Sequence, residues 1–350
     1  MTHLWVRAEN RANEERVGLT PEGTATLIAA GIHVTVEESR QRAIPMDGYR
    51  ATGCDIAPEG TWVDAPDDAL IFGLKELPDD GTPLRHPHIM FGHAFKGQPS
   101  GRVLLDRFQA GGGALYDLEY LVDDDGRRVA AFGYWAGFAG AAVALRCWIA
   151  QARGGIAGPV HTYLSAAHMI ADLQGALVRL GTERPTALII GAKGRVGTGA
   201  ADLCREMGVA TTLWDVDETA HGGPFPEVLQ HALFFNCILA RDGTPVFVHE
   251  GATTTERALR VIGDIACDPD SAFNPIKVYD RTTTWDAPAL RVHDHPTLDV
   301  TAIDNLPAML PVESSEDFAG QLLPSLLTLA DLDGGVWGRA RATFDAAIAD

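Results

Sequence analysis

Residues 186–217 constrain the fold more than any other part of the chain. An apolar run at 187–190 predicts a buried strand of a parallel sheet, and this strand ends at Gly191. A helical pattern follows a glycine-rich turn and stops at Gly208, and residues 209–214 predict a second strand. A strand, a glycine turn, a helix and a second strand that ends in an acid are typical of a dinucleotide-binding βαβ unit.

The turn of this unit is rich in glycine. Its glycines are Gly191, Gly194, Gly197 and Gly199. A backbone with little Cβ bulk can approach a pyrophosphate closely, and the helix that starts there offers unpaired N–H groups. The spacing is G-x-x-G-x-x-G, with Lys193 where the strict fingerprint has its second glycine, and Arg195 also lies in the turn. A plain tight turn is the alternative, but the flanking strands, helix and acid favour a cofactor site.

The acid at the end of the second strand predicts which cofactor binds. Asp215 lies 24 residues after Gly191, close to the usual spacing of about 20. A carboxylate at this position accepts hydrogen bonds from the ribose hydroxyls of the adenosine half and repels a 2′-phosphate. The sequence therefore predicts NAD rather than NADP.

Length and charge limit the classes of function. With 350 residues the chain is long for one hydrophobic core, so we expect two domains. Its 47 acidic and 28 basic residues give a formal net charge of −19, which argues against binding of nucleic acid or anionic membrane surfaces. A well-solvated surface is the simplest interpretation of this charge, and an anionic substrate would need local arginines or lysines.

Cysteines and apolar segments predict a cytoplasmic protein. The five cysteines form no CxxC pair, so neither a disulfide framework nor a zinc site is expected, and a reducing compartment fits. The first 21 residues are charged and lack the apolar core of a secretory signal. The longest apolar segment, 136–152, contains Arg146 and several glycines and is too short to span a bilayer.

The first 120 or so residues predict an α/β unit without a phosphate fingerprint. Its first helix begins after Thr20, a typical N-cap residue, with Pro21 at the first helical position. Residues 233–239 and 245–248 predict further buried strands, and from Ser314 the pattern is helical to the end. We predict that this helical tail returns to the first domain and makes it discontinuous, with two sequential domains as the alternative.

Polar residues at predicted strand ends of the first domain are the candidates for chemistry, because α/β folds place active sites there. They are Lys75 with Glu76, His93 with Lys96, and Glu119. A desolvated lysine at a strand end can exchange protons near neutrality, and histidine is the usual proton shuttle near pH 7. For each residue taken alone, a solvated lysine and a hydrogen-bonded structural histidine are the alternatives.

Arg16 and Arg128 lie at the edges of predicted elements, and a guanidinium is the natural clamp for a carboxylate. A surface salt bridge is the alternative for each. Histidines in polar, proline-containing loops are a further group, namely His86, His88, His293 and His295. No carboxylate–histidine spacing among them supports a metal site, and we predict none.

Taken together, these residues resemble those of a known family, the fungal-type saccharopine dehydrogenases that form L-lysine with NAD, relatives of alanine dehydrogenase and of the transhydrogenase α-subunit. The resemblance covers nearly the whole chain. Its motifs here are 4–21 (LWVRAENRANEERVGLTP), 72–77 (FGLKEL), 91–98 (FGHAFKGQ), 126–141 (GRRVAAFGYWAGFAGA), 189–200 (IIGAKGRVGTGA), 214–225 (WDVDETAHGGPF) and 302–315 (AIDNLPAMLPVESS).

The resemblance implies a substrate, saccharopine, which is cleaved by oxidation to L-lysine and 2-oxoglutarate, and roles for residues of the first domain. Lys75 takes the proton from the secondary amine, and His93 is the base and acid for the steps that involve water. Further residues of the substrate side are Glu76 and Glu119, which neighbour and tune Lys75, the carboxylate binders Arg16 and Arg128, and Lys96, which adds positive charge.

The resemblance also implies residues for the cofactor side. They are Gly191, Gly194, Arg195, Val196, Gly197, Asp215, the loop 222–225, and Asp304, an acid beside the nicotinamide. Val196 departs from the family pattern, since fungal members commonly carry cysteine there; the chemistry does not need that thiol.

The implied fold is α/β, with two Rossmann-like domains whose parallel sheets flank an interdomain cleft. The substrate domain comprises residues 1–132 and 314–350, the NAD domain comprises residues 133–313, and a monomer is expected. Two alternatives stay open: a related NAD-dependent amino-acid or opine dehydrogenase, for instance one acting on alanine, and a non-catalytic nucleotide-binding or interaction protein.

Overall fold

A computed structural model describes residues 1–97 and 99–349. Gln98, the last residue of the motif 91–98, and Asp350, the end of the predicted substrate domain, lie outside the described residues. The chain divides into two compact units. Unit 1 comprises Met1–Ala131 and Pro311–Asp350, and unit 2 comprises Phe132–Leu310. The predicted assignment of a substrate domain and an NAD domain, and the cleft, stay predictions.

The elements alternate between strands and helices along most of the chain. The strands are β1 (His3–Val6), β2 (His33–Glu37), β3 (Asp55–Ala57), β4 (Ala69–Phe72), β5 (Pro87–Met90), β6 (Ala114–Asp117), β7 (Thr186–Ile190), β8 (Ala210–Trp214), β9 (Leu233–Asn236), β10 (Val261–Asp264), β11 (Leu290–Asp294) and β12 (Thr297–Thr301). The α-helices are α1 (Pro21–Ala29), α2 (Met46–Arg50), α3 (Pro99–Gly111), α4 (Gly133–Ala152), α5 (Ala166–Leu180), α6 (Arg195–Glu206), α7 (Val216–Thr219), α8 (Pro226–Gln230), α9 (Pro311–Leu326) and α10 (Gly335–Ala349). Short 3-10 helices are Thr61–Asp64, Glu250–Thr253 and Leu306–Met309.

In the described part of unit 1, one six-stranded sheet has the order β3-β2-β1-β4-β5-β6, and neighbouring strands pair in parallel. The strand order reverses between β1 and β4, and open α/β sheets bind ligands beyond the carboxyl ends of the strands at such a switch point. The segments that leave β1, β4, β5 and β6 at this edge contain the predicted substrate-side residues 16, 75, 93 and 119.

The C-terminal helices α9 and α10 pack within unit 1. Trp337 of α10 is fully buried and meets Tyr116 of β6 edge to face, with 5.8 Å between the ring centroids. Phe344 of the same helix meets Phe108 of α3 at 5.7 Å. The predicted helical tail begins at Pro311, earlier than Ser314, and it is not one unbroken helix, because a turn separates α9 from α10.

In the described part of unit 2, a second six-stranded sheet has the order β11-β12-β10-β9-β7-β8. Strand β11 runs antiparallel to β12, and the other neighbouring strands are parallel. Helix α4 crosses α6 closely because glycines face each other there: a Cβ on Gly137 would lie 1.8 Å from the carbonyl oxygen of Val196, and one on Gly199 would lie 1.9 Å from that of Tyr134. The order reverses between β7 and β9, which makes the turn after β7 a natural ligand site.

One predicted strand of unit 2 is wrong. Residues 245–248 form no strand, and only Val248 makes an isolated bridge, to Ile276. Pro245 has no N–H to give to a ladder, and the N–H groups of Phe247 and Val248 both donate to the carbonyl of Pro275. Across the described residues, none of the helices combines the length and the apolar character that crossing a membrane requires.

Candidate functional site

The backbone at Lys75, just past β4, is held by side chains from the segment that leaves β1. The carboxylate of Glu9 accepts hydrogen bonds from the N–H of Leu74 at 2.6 Å and from the N–H of Lys75 at 3.0 Å. Nη2 of Arg7 donates to the carbonyl oxygen of Lys75, and Nη1 donates to that of Ala8. Lys75 itself is half-buried, and these hydrogen bonds fix its backbone just past the carboxyl end of β4.

Arg16 forms a buried ion pair. Its Nε and Nη2 donate to the two carboxylate oxygens of Glu14 at 2.7 and 2.6 Å, and both side chains are almost fully buried. Burial alone would raise the pKa of Glu14, but the hydrogen bonds and charge of Arg16, together with the charge of Lys75, outweigh it and lower that pKa. One edge of the guanidinium therefore binds Glu14, and Lys75 lies within electrostatic reach of this pair.

Glu76 lies apart from that pair. Its carboxylate faces Arg11, with 3.6 Å between Oε1 and Nη1, and about half of its side chain is exposed. The tuning of Lys75 by Glu76 stays a prediction.

Glu119, two residues after β6, gathers the other predicted substrate-side residues. Its Oε1 accepts from Nη2 of Arg128 at 2.7 Å and from Nζ of Lys96 at 2.9 Å. Its Oε2 lies 3.7 Å from Nδ1 of His93, longer than a hydrogen bond, and accepts none from the described residues. The sequence did not predict this association of Glu119 with His93, Lys96 and Arg128.

The charge of this cluster is well defined. The interaction with His93, and then the charges and hydrogen bonds of Lys96 and Arg128, lower the pKa of Glu119 to about 2 against the effect of partial burial. Glu119 is therefore a carboxylate at neutral pH. With two fixed cations on one anion, the cluster is a local positive site in a chain of net charge −19, as binding of a polycarboxylate requires.

Asp117, the last residue of β6, ties the two loops of this cluster together. It is fully buried; its Oδ2 accepts from the N–H of Gly92 at 3.2 Å and its Oδ1 from the N–H of Glu119 at 2.8 Å. His93, next to Gly92, has a positive φ of 50°, which is unfavourable for a residue with a Cβ. The Asp117 carboxylate therefore holds the backbone on which both His93 and Glu119 stand.

The glycine turn of unit 2 has the shape that a pyrophosphate needs. Gly191 has φ +88°, and a Cβ on Gly197 would lie 2.2 Å from the carbonyl oxygen of Gly191. Gly194 is the N-cap of α6 and provides no side-chain cap. The N–H groups of the first turn of α6, at residues 195–197, therefore have no intrahelical partner and form an anion-binding helix end.

Asp215 follows β8 beside this turn. Its Oδ2 accepts from the backbone N–H of Lys193 at 2.9 Å and its Oδ1 from that of Val216, while its own N–H donates to Glu218 in a capping box. The carboxylate borders a cavity of about 500 Å³ that Ile238 and other residues between 238 and 247 line from the β9 side. A cavity of this size next to an acid fits the adenosine half of a dinucleotide.

The remaining cofactor-side predictions lie on exposed or partly exposed positions of unit 2. Arg195 is exposed and Val196 half-buried on the first turn of α6, and Asp304 is exposed in a turn after β12. Within the described ranges, no group of three or more His, Cys, Asp or Glu is arranged to hold a metal ion.

Sequence reasoning missed Arg7, Glu9, Glu14 and Asp117. Each is buried; Arg7, Glu9 and Glu14 lie in the segment that leaves β1, and Asp117 is the last residue of β6. The partners of Arg7, Glu9 and Asp117 are up to 68 residues away along the chain, and only the strand order reveals them.

Comparison with known proteins shows close relatives over the whole length. The chain is 43% identical over 365 residues to the saccharopine dehydrogenase [NAD(+), L-lysine-forming] of Schizosaccharomyces pombe, covering 99% of this chain and 98% of that protein. It is 43% identical to the protein of the same name from Neurospora crassa, covering 99% and 97%. Residues 5–139 match the family described as alanine dehydrogenase/PNT, N-terminal domain.

Solved structures show the fold. An L-alanine dehydrogenase superposes with a TM-score of 0.68 at 17% identity, covering 99% of this chain and 94% of that one. A transhydrogenase from Sinorhizobium meliloti superposes with a TM-score of 0.64 at 15% identity, covering 96% and 97%. The α/β fold with two mostly parallel, Rossmann-like sheets is therefore confirmed.

Proposed function

The chain belongs to the family of NAD-dependent, L-lysine-forming saccharopine dehydrogenases, and on that premise we propose that it oxidatively cleaves saccharopine to L-lysine and 2-oxoglutarate, in a reversible reaction. Saccharopine is lysine joined through its ε-nitrogen to a glutarate carbon. The observation that carries the proposal is the cluster around Glu119, because it gives an acidic protein a cationic site for a substrate with several carboxylates.

The NAD site is the glycine turn of unit 2. The N–H groups at the start of α6 bind the pyrophosphate. The carboxylate of Asp215 accepts hydrogen bonds from the ribose hydroxyls, which replace the hydrogen bond that it accepts from the N–H of Lys193 in this structure. When bound, NAD supplies the acceptor for the hydride that leaves the glutarate carbon of saccharopine. Gly191, Gly194 and Gly197 permit the close approach, and Arg195, Val196 and Asp304 complete this side by resemblance to the family.

Lys75 and His93 carry the proton transfers. Lys75, acting as the base, takes the proton of the secondary amine as the C–H bond breaks, which leaves a carbon–nitrogen double bond in the substrate. His93 then removes a proton from the water that adds to the carbon and gives it to the nitrogen, which forms the carbinolamine. His93 next removes the proton of the carbinolamine hydroxyl and gives it to the nitrogen as the C–N bond breaks, which forms the carbonyl group of 2-oxoglutarate. The products are L-lysine and 2-oxoglutarate.

Cationic side chains of unit 1 bind the substrate carboxylates. Arg128 and Lys96 each donate to Glu119, which holds their charges in place and leaves other N–H groups of each for the substrate. Arg16 is similarly oriented by Glu14. The carboxylates of Glu76 and Glu119 neutralise part of the positive charge of the site.

An absorbance assay of NADH tests the proposal. With L-lysine and 2-oxoglutarate both present, we expect NADH to be consumed, and we expect no consumption when either is omitted. Turnover with pyruvate and ammonia but not with lysine would assign the chain to the alanine-type chemistry instead. A Lys75→Met/His93→Gln double variant that kept full turnover would remove these two residues from the mechanism.

We further propose that the protein acts as a cytoplasmic monomer in lysine formation and binds no nucleic acid. The acidic surface and the absence of CxxC pairs support this setting. Light scattering after size exclusion should give a mass near 37.4 kDa, and a mass near twice that value would contradict the monomer.

A further inference from the structure

We propose that Arg7 and Glu9 are positioning residues that clamp the backbone of Lys75 and thereby aim its side-chain amino group. This inference rests on the proposed function, since it assigns Lys75 the role of proton acceptor. It concerns residues that the chemistry itself does not use.

The clamp grips both peptide groups of Lys75. On the amino side, Glu9 accepts from the N–H of Leu74 at 2.6 Å and from the N–H of Lys75 at 3.0 Å. On the carboxyl side, Nη2 of Arg7 donates to the carbonyl of Lys75. Nη1 of Arg7 lies 3.5 Å from Oε2 of Glu9, so the two clamping side chains also bind each other.

Gly73 makes room for the clamp. A Cβ at this position would lie 2.4 Å from Nε of Arg7 and 2.5 Å from its Cζ, closer than any real Cβ contact. The guanidinium therefore passes directly over the backbone of residue 73. Arg7 and Glu9, which follow β1, thus contact the backbone of residues 73–75, which follow β4.

The clamp is costly for a purely structural device. The side chain of Arg7 is fully buried, and its Nε is buried without a hydrogen-bond partner among the described residues. Burying a charge and leaving a donor unpaired both destabilise a fold. An apolar side chain of similar volume could fill the space without this penalty, so a positional role for the guanidinium explains the arrangement better.

The backbone at residue 75 is the fixed origin of a flexible four-carbon stem. The position of its Cα therefore decides which volume the amino group can reach. A misplacement of about 1 Å in a reacting group can cost about 100-fold in rate. Loss of the clamp should therefore lower kcat while leaving NADH binding by unit 2 unchanged.

Arg257 of unit 2 provides a matched control. It is also buried, it donates to the backbone carbonyls of Leu259, Pro296 and Thr297, and its Nε likewise has no partner among the described residues. These carbonyls lie at the amino-terminal edge of the second sheet, away from the glycine turn. Arg257→Met should destabilise unit 2 and leave turnover unaffected.

The activity test compares Arg7→Met, Gly73→Ala, their double variant and Arg257→Met with the wild type. We expect Arg7→Met and Gly73→Ala each to lower kcat at least 10-fold with the dissociation constant of NADH unchanged. Because Gly73→Ala acts by displacing Arg7, the double variant should be no slower than Arg7→Met alone. A kcat within twofold of Arg257→Met, or additive losses in the double variant, would overturn the proposal.

Amide exchange separates failure of the clamp from failure of the proposed function. In a Glu9→Gln variant one of the two acceptor oxygens becomes a donor group, so at least one of the N–H groups of Leu74 and Lys75 should exchange at least 10-fold faster. The N–H of Gly92, held by Asp117, should keep its rate. Unchanged exchange at Leu74 and Lys75 overturns the clamp whatever substrate the enzyme uses, whereas faster exchange in a protein without saccharopine turnover would sustain the clamp and refute the proposed function.

Discussion

Replacing Asp117 by alanine should uncouple the loops that carry His93 and Glu119. The fully buried carboxylate accepts the N–H groups of Gly92 and Glu119. Leaving each donor unpaired costs about 1–3 kcal/mol, so the free energy of unfolding should fall by about 2–6 kcal/mol. His93 would also lose the anchor of its left-handed backbone, which costs a residue with a Cβ about 1–2 kcal/mol.

The imidazole should therefore move, and kcat should fall by about 100-fold. The NADH absorbance assay with L-lysine and 2-oxoglutarate measures kcat, and urea unfolding measures stability. Asp299→Ala is the matched control, because Asp299 is a fully buried carboxylate of β12 that pairs with Arg291 and Gln151. If Asp117→Ala and Asp299→Ala lowered kcat equally, the anchoring role of Asp117 would be refuted.

An Asp117→Asn variant tests the raised pKa of Asp117 through the pH dependence of the unfolding free energy. Burial raises the pKa of Asp117 despite the N–H bonds of Glu119 and Gly92 and the charge of His93. The native state thus holds this proton more tightly than the unfolded state, so the contribution of Asp117 to stability falls as the pH rises through its native pKa. Asp117→Asn should become more stable relative to the wild type as the pH rises from about 4; a constant difference in unfolding free energy would contradict this.

Further variants test other parts of the account. His88 is buried with both ring nitrogens unpaired among the described residues, and burial lowers its pKa well below the ordinary value. Wild-type stability should therefore fall by up to about 1.4 kcal/mol per pH unit as the pH drops below about 6.5, and His88→Phe should flatten this slope in urea titrations. Asp215→Ser should raise the KM for NAD about 10- to 100-fold and admit NADP, because a charged acceptor of the ribose hydroxyls is lost; unchanged kcat/KM ratios for the two cofactors would contradict the assignment. Gly197→Ala would place a Cβ 2.2 Å from the carbonyl oxygen of Gly191, and should weaken NADH binding in a fluorescence titration at least 10-fold; wild-type affinity would show that the turn tolerates the displacement.

The elements that could be predicted from the sequence are those that depend on residues adjacent in the chain. The run from β7 to Asp215 was recognisable because an apolar strand, a glycine turn and a helix follow one another without interruption. The start of α1 was recognisable because Thr20 caps it and its side chain accepts from the N–H of Gly23. Residues 245–248 looked like a strand by apolarity alone, but the proline and the competing carbonyl of Pro275 prevent a ladder.

Features that depend on strand order were beyond prediction. Glu9 binds the backbone at Lys75 because β1 and β4 are neighbours, and Asp117 binds Gly92 because β5 and β6 are neighbours. Glu119 was predicted near Lys75, whereas its contacts are with His93, Lys96 and Arg128. Strand β11 was missed because it is a partly exposed edge strand with a mixed sequence.

Transfer of deuterium tests the central claim most directly. The enzyme would be supplied with NADH that carries deuterium at the transferable position, together with L-lysine and 2-oxoglutarate, and the products analysed by mass spectrometry. We predict saccharopine with one deuterium on the glutarate carbon that bears the lysine ε-nitrogen. Absence of this labelled product, with labelled alanine formed from pyruvate and ammonia instead, would contradict the account.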